Sequence, residues 1–152
     1  MNKIELIKTE RDGLKIKDDI HRFAKEGWES ISEEDIQRLK WYGLFLRNPT
    51  PGYFMLRVRI PNGFSFSHQV KALSLIAETY GNGLIDITTR QQVQLRHLKI
   101  ESIPQVFQLL EEVGLTSSQT GMDNVRNIMG CPVAGLNPKE KVDAYSLVKA
   151  LN

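Results

Sequence analysis

The sequence predicts an α+β fold, a small sheet with helices packed on one face. Three observations carry this. Residues 53–60, YFMLRVRI, alternate with period two, placing Phe54, Leu56, Val58 and Ile60 on one wholly apolar face. Residues 67–80 carry Val70, Leu73, Ile76, Ala77 and Tyr80 at helical spacing. Two short apolar runs, 84–88 and 93–98, then precede a second helical pattern with Val106, Leu109, Leu110 and Val113. The resulting order, strand–helix–strand–strand–helix, is that of the split, ferredoxin-like arrangement.

Taken from the start, residues 1–17 read as an irregular segment. Asp18 and Asp19 open a short helix bearing Ile20, Phe23 and Ala24, which Gly27 ends. Ser32-Glu33-Glu34-Asp35 resembles a capping box, with a helix running to Gly43. Asn48-Pro49-Thr50-Pro51-Gly52 breaks any regular element and leads into the first strand. Pro61-Asn62-Gly63 turns the chain toward the helix of 67–80, which stops at Gly81. Ser102 is placed to cap the second helix and Gly114 to close it, with a fourth strand expected near 115–119. Residues 120–137, TGMDNVRNIMGCPVAGLN, show neither period and read as a functional loop. Asn137-Pro138 then suggests the start of a helix carrying Val142, Leu147, Val148 and Leu151.

The totals narrow the class. The chain has 152 residues and a formal net charge of only +2. That is too little for the clustered basic footprint that a nucleic-acid or membrane partner requires. No apolar run is long enough to span a bilayer. The first residues are charged throughout, with no signal-peptide core, so a cytoplasmic location is expected. One cysteine, Cys131, precludes an intrachain disulfide and fits a reducing compartment. It also precludes a four-thiolate iron–sulfur cluster built from this chain alone. Flanked by Gly130 and Pro132, Cys131 reads as a small buried residue.

Chemistry gathers on the second face of the sheet. There the first strand presents Arg57 and Arg59, and the following pair presents Asp86, Thr88, Arg90, Gln92, Gln94 and Arg96. A half-buried sheet ordinarily has one polar face, which accounts for much of this. The surplus of arginine also suits a polyanionic partner, since a guanidinium grips a carboxylate with two parallel hydrogen bonds. In the irregular loop, Arg126 stands between turn-forming residues in Asp123-Asn124-Val125-Arg126-Asn127. A plain surface Asp–Arg pair accounts for that run equally well.

Four separated blocks go further. RLKWYGLF (38–45), PGYFMLRVRIPNG (51–63), DITTRQ (86–91) and GMDNVRN…GCPVAG (121–135) occur in this order. Together they resemble the N-terminal half of the ferredoxin-dependent nitrite reductases, of the nitrite and sulfite reductase family. The resemblance spans about residues 10–150. It implies a helical leader (1–45), a ferredoxin-like half-domain (46–115), and the truncated start of a domain holding siroheme and a [4Fe–4S] cluster (116–152). It further implies reduced ferredoxin as electron donor and nitrite as substrate, reduced by six electrons to ammonium in nitrate assimilation. In the family the arginines of the TTRQ and NVRN blocks face the anion site, which here assigns Arg90 and Arg126 a catalytic, electrostatic role. Arg57, Arg59 and Arg96 become candidates for siroheme carboxylates, and Thr89, Gln91 and Asn127 for orienting those arginines. The cluster cysteines and a proton-feeding lysine are expected in a missing C-terminal half. Lys139, Lys141 and Lys149 read instead as a solvated helix face. Ferredoxin-sulfite reductase is the nearest alternative. A non-catalytic, free-standing half-domain that binds siroheme or a partner protein is another. An RNA-binding domain would need aromatics exposed on the polar face, where only Tyr53 stands.

Overall fold

A computed structural model describes residues 2–152. Its centre is a four-stranded antiparallel sheet in the order β1-β2-β4-β3. The strands are β1 (Leu44–Leu46), β2 (Tyr53–Val58), β3 (Ile85–Ile87) and β4 (Val93–Lys99). β4 lies between β2 and β3, antiparallel to both, so β2 and β3 run parallel with another strand inserted between them. The mixed helix and sheet architecture is the split ferredoxin-like form that the alternating pattern predicts.

The apolar face of β2 is buried as its alternation requires, with Phe54, Leu56, Val58 and Ile60 all in the core. Against it pack α4 (Ser67–Tyr80), through Leu73, Ile76 and Ala77, and α5 (Ile103–Glu112), through Ile103, Val106, Phe107 and Leu110. Ser102 does not cap α5 with its side chain; its hydroxyl donates to Lys99 O at 2.8 Å.

β4 hides a change of parity. Phe54 faces Leu98 while Leu56 faces Leu95, so two β4 residues oppose Met55. His97 takes φ 61° at this bulge. The extra residue returns Leu98 to the core face, whereas strict alternation from Leu95 would have put it beside Arg96.

The flanks depart from expectation in several places. Residues 1–17 are not irregular: α1 spans Lys3–Glu10, and a 3-10 turn covers Gly13–Asp19. Asn2 caps α1 by accepting from Ile4 N at 3.3 Å, and Ile7 is buried. The buried Arg38 of α3 (Glu33–Leu39) donates to Ile7 O at 3.1 Å, a contact no local pattern announces. α2 (Ile20–Glu26) and α3 lie where predicted, and Ser32 caps α3 by accepting from Asp35 N at 3.1 Å.

β1 was not foreseen. It occupies the edge of β2 reserved for a fourth strand at 115–119, which shrinks to a single bridge, Arg59 to Thr116. Gly43, at φ 72°, brings the two segments onto one edge. Its carbonyl accepts from Arg57 N at 2.9 Å. A Cβ there would lie 2.3 Å from Thr120 Oγ1 and 2.6 Å from Arg57 O, so no larger residue fits.

Two further expectations fail at solvent. Ile85 and Ile87 pair with Leu95 and Val93, but β3 is the outer strand and α4 does not close over it. Ile87 remains 83% exposed, and Val70 at the start of α4 is also exposed. A groove of about 490 Å³ runs along this edge between Val70, Ile85, Ile87 and Pro132. The last helix, α6 (Tyr145–Leu151), begins later than Pro138. Asn137 only caps a turn, accepting from Lys139 N at 3.0 Å, because residues 138–143 offer no apolar face to bury. Lys139 and Lys141 therefore lie outside any helix. No helix among the described residues is long and apolar enough to cross a membrane.

Candidate functional site

The site begins at the tip of the β3–β4 hairpin. Thr88 closes this tip, its N–H donating to Gln92 O at 2.9 Å and its Oγ1 accepting from Gln92 N at 3.1 Å. Gln91 N donates to Thr88 O at 3.0 Å, and Gln91 takes φ 54°. Thr89 and Arg90 are thereby pushed into solvent.

The irregular segment after α5 returns across the polar face of the sheet. Two side chains join it to the hairpin tip. Asn127, 5% exposed, donates through Nδ2 to Ile60 O at 2.9 Å and to Arg90 O at 3.0 Å. Gln91 exchanges two bonds with the backbone of Gly130, Nε2 to Gly130 O at 3.2 Å and Gly130 N to Oε1 at 3.3 Å. Asn62 N donates to Ile128 O at 3.3 Å beside them.

The polar face thus does not simply meet water, and its arginines have different fates. Arg59, 6% exposed, donates to Gln119 O and Val125 O, each at 2.9 Å, and to Asn152 Oδ1 at 3.1 Å. Its guanidinium is spent on holding the returning segment. Burial lowers its pKa. Arg96 pairs with Asp86 across the β3–β4 ladder. Arg57 is half-buried, donating to Thr120 O at 3.2 Å with its guanidinium 5.0 Å from the Phe45 ring centroid.

Arg57 carries the decisive electrostatic observation. Its pKa is lowered first by burial, then by the positive charges of Arg126 and Arg90. Arg90 and Arg126 therefore each lie near enough to Arg57 for their charge to reach it. Among the described residues the arginine ion pairs belong to Arg11, Arg22, Arg38 and Arg96, and none to these three. Arg90 and Arg126 are exposed, and Arg126 donates only to Met122 O at 3.2 Å. Three uncompensated guanidiniums on one surface form a cradle for a polyanion.

Residues 47–113 match the nitrite/sulfite reductase ferredoxin-like half domain. Over that segment the chain carries the nitrite/sulfite reductase ferredoxin-like half domain. It is 52% identical over 153 residues to the ferredoxin–nitrite reductase of Synechococcus elongatus, covering 99% of this chain and 30% of that protein. Over 151 residues it is 49% identical to the ferredoxin–nitrite reductase of Leptolyngbya laminosa, covering 98% of this chain and 30% of the other. The solved structure of the Mycobacterium tuberculosis NirA protein superposes with a TM-score of 0.92 at 27% identity, covering 99% of this chain and 31% of that one. The chain thus spans about 30% of the length of the relatives it matches.

The matched half domain supplies the hairpin with Arg90, and the segment after it supplies Arg126. Two cofactors implied by the family fit this chain differently. Siroheme is a tetrapyrrole rimmed with carboxylates, and the unpaired Arg57, Arg90 and Arg126 are the donor set such a rim needs. A [4Fe–4S] cluster takes four thiolates, and this chain has one cysteine. Cys131 is exposed, not buried as expected, because the 120–137 loop lies on the surface of the sheet. No group of three His, Cys, Asp or Glu suited to a metal occurs among the described residues.

The sequence placed Thr88 and Gln92 on the polar face and Asn62 in a turn, but gave none of them, nor Gly130, its role in shaping the hairpin and its partner loop. A polar residue opening and closing a five-residue tip was the available signal for Thr88 and Gln92. Asn62 and Gly130 gave none, since their roles arise from contact between distant segments.

The leader also reaches this loop. Lys8 of α1 forms an ion pair with Asp123. The hydrogen bond from Lys8 holds the Asp123 carboxyl below the usual carboxylate range, against a smaller opposing effect of burial. A depressed folded pKa stabilises the fold above the unfolded carboxyl value and loses that contribution as pH falls through the folded value. Lys8→Met should lower the urea midpoint at neutral pH, and the gap to the parent should close as the solution is acidified below about pH 4. Both side chains are partly exposed, so the neutral-pH effect should be small.

Proposed function

We propose that the chain is the N-terminal portion of a ferredoxin-dependent nitrite reductase that reduces nitrite to ammonium in nitrate assimilation. The observation that carries this reading is the unpaired set of Arg57 and Arg90, on the matched nitrite/sulfite reductase half domain, with Arg126 of the segment that follows it. Siroheme coupled to a [4Fe–4S] cluster would relay the donor's electrons and provide the iron at which nitrite is held.

The chain's own residues do the electrostatic part. Arg57, half-buried beside Thr120, would hold a siroheme carboxylate. Arg90 and Arg126, both exposed, would draw in an anion and offset negative charge developing on its oxygens. A guanidinium serves here as a fixed charge and hydrogen-bond donor rather than as a proton relay. Proton delivery falls to water or to a lysine outside this chain. Arg96, tied to Asp86, and the exposed Thr89 would line the margin of the same surface. Arg59 would serve the site by supporting the loop. Nitrite is preferred to sulfite because the curated relatives cited above bear the nitrite name. Reduced ferredoxin would be the donor, and the remaining portion of the enzyme would carry the cluster ligands in the same cytoplasm.

The test is an absorption spectrum of the chain produced with siroheme, alone and with the remaining portion of the Synechococcus elongatus relative supplied in trans. A siroheme spectrum and nitrite reduction with both portions, and no reduction by this chain alone, is the expected result. Steady ammonium production by the 152-residue chain alone with reduced ferredoxin would overturn it.

A further inference from the structure

Arg90 and Arg126 belong to segments far apart in sequence, yet they must act on one anion. Nothing in their own side chains joins them. Arg90 stands on a hairpin tip and Arg126 on a loop without regular structure. The bonds across the gap come from their sequence neighbours, Gln91 and Asn127. Each neighbour crosses to the other's segment: Gln91 to Gly130 in the Arg126 loop, and Asn127 to Arg90 O in the hairpin tip. Asn127 also ties both to Ile60 O, at the end of the β2 region.

We infer that Gln91 and Asn127 are positioning residues, a reciprocal amide lock that sets Arg90 and Arg126 into one anion cradle without touching the anion. Burial supports this. Asn127 is 5% exposed and its Nδ2 already serves backbone carbonyls. Both amide ends of Gln91 are committed to Gly130. A residue meant to grip a ligand keeps a free polar end toward solvent, as Arg90 does.

Gly130 completes the lock by its lack of a side chain. A Cβ there would lie 1.6 Å from Asn62 Oδ1 and 2.7 Å from its Cγ. Any side chain at position 130 would therefore require the Asn62 amide to turn aside or the loop to lift off the hairpin. The lock rests on the reading of the three arginines as a polycarboxylate cradle, and it deepens that reading by saying what holds the cradle in shape.

The experiment uses the 152-residue chain and two measurements. The first is binding of benzenehexacarboxylate, a soluble polycarboxylate, followed by NMR at the arginine side-chain N–H groups. The second is hydrogen exchange at the backbone N–H of Gly130 and Asn62, without any ligand. In Asn127→Ala, both amides should exchange faster by at least about tenfold, as a linked opening requires. The Arg90 and Arg126 signals should then lose their shared response, with affinity about tenfold weaker. Asn127→Asp, which lacks the donating Nδ2, should behave like Asn127→Ala, whereas Gln91→Ala, which loses both bonds to Gly130, should release the Gly130 amide. Unchanged exchange at Gly130 and Asn62 in Asn127→Ala would overturn the lock. So would released amides with probe affinity unaltered. A parent chain that fails to bind the probe while Asn127→Ala still releases both amides would instead overturn the cradle and leave the mechanical coupling standing.

Discussion

Arg59→Ala should lower the melting temperature of this chain by roughly 6–12 °C, the largest stability effect expected from any residue on the polar face. The reasoning starts from its partners. Arg59 donates to Gln119 O and Val125 O at 2.9 Å and to Asn152 Oδ1 at 3.1 Å, from a position that is 6% exposed. Truncation orphans two loop carbonyls, at about 1–3 kcal/mol each when they remain buried. Partial entry of water offsets some of this, leaving a loss of about 3 kcal/mol. Thermal denaturation of parent and variant checks it. Arg59→Lys should fall between them, because one ammonium cannot span both carbonyls as a planar fork does. A variant that melts with the parent would mean that Arg59 is not the tie between β2 and the 116–128 segment. It would then return to candidacy as a ligand for siroheme.

Arg90→Ala or Arg126→Ala in the whole enzyme should reduce nitrite turnover by about 100-fold while protein yield and melting temperature stay near the parent values. Stability is expected to hold because both side chains are exposed and neither makes an ion pair among the described residues. The kinetic loss follows from removing a fixed positive charge from a site that must hold an anion as its oxygens gain electron density. Steady-state kinetics with reduced ferredoxin separates the two contributions. A rise in KM alone reports lost binding, and a fall in kcat reports a charge needed in the transition state. Lysine at either position should recover part of the activity, since charge is restored without the paired hydrogen bonds. Unchanged kinetics in both alanine variants would remove the assignment of Arg90 and Arg126 to the anion site.

These two predictions separate arginines that look alike in the sequence. Arg57 and Arg59 share one strand and one face by simple alternation. Local pattern could place both on the polar side of the sheet and go no further. What distinguishes them is the segment of residues 116–128, which covers Arg59 and leaves Arg57 half-buried beside the other two. Arg96 is separated from them in another way, through Asp86 on the neighbouring strand. Arg90 and Arg126 could be singled out only by the short runs around them. Their nearness depends on Gln91 and Asn127 meeting partners that lie more than thirty positions away.

The sequence by itself determined the elements that local periodicity governs. The alternation of 53–60, the helical spacing of 67–80 and the second helix after Ser102 bury the residues their period assigns to the core or pack them against it, Val70 at the start of α4 excepted. Four motif blocks were enough to indicate the family. Tertiary structure decided the rest, because the energies involved arise between distant residues. The bulge at His97 follows from the need to bury Leu98, and it reversed the parity of β4. α1 is held by Arg38 and Asp123, contacts from α3 and the returning loop. The outer isoleucines of β3 stay exposed because α4 leaves an open groove beside this edge strand, although their pattern is that of a core face. Burial and hydrogen bonding across long loops are settled only when the chain has closed on itself, so a pattern along the chain could name the charged residues but not say which of them would be left free.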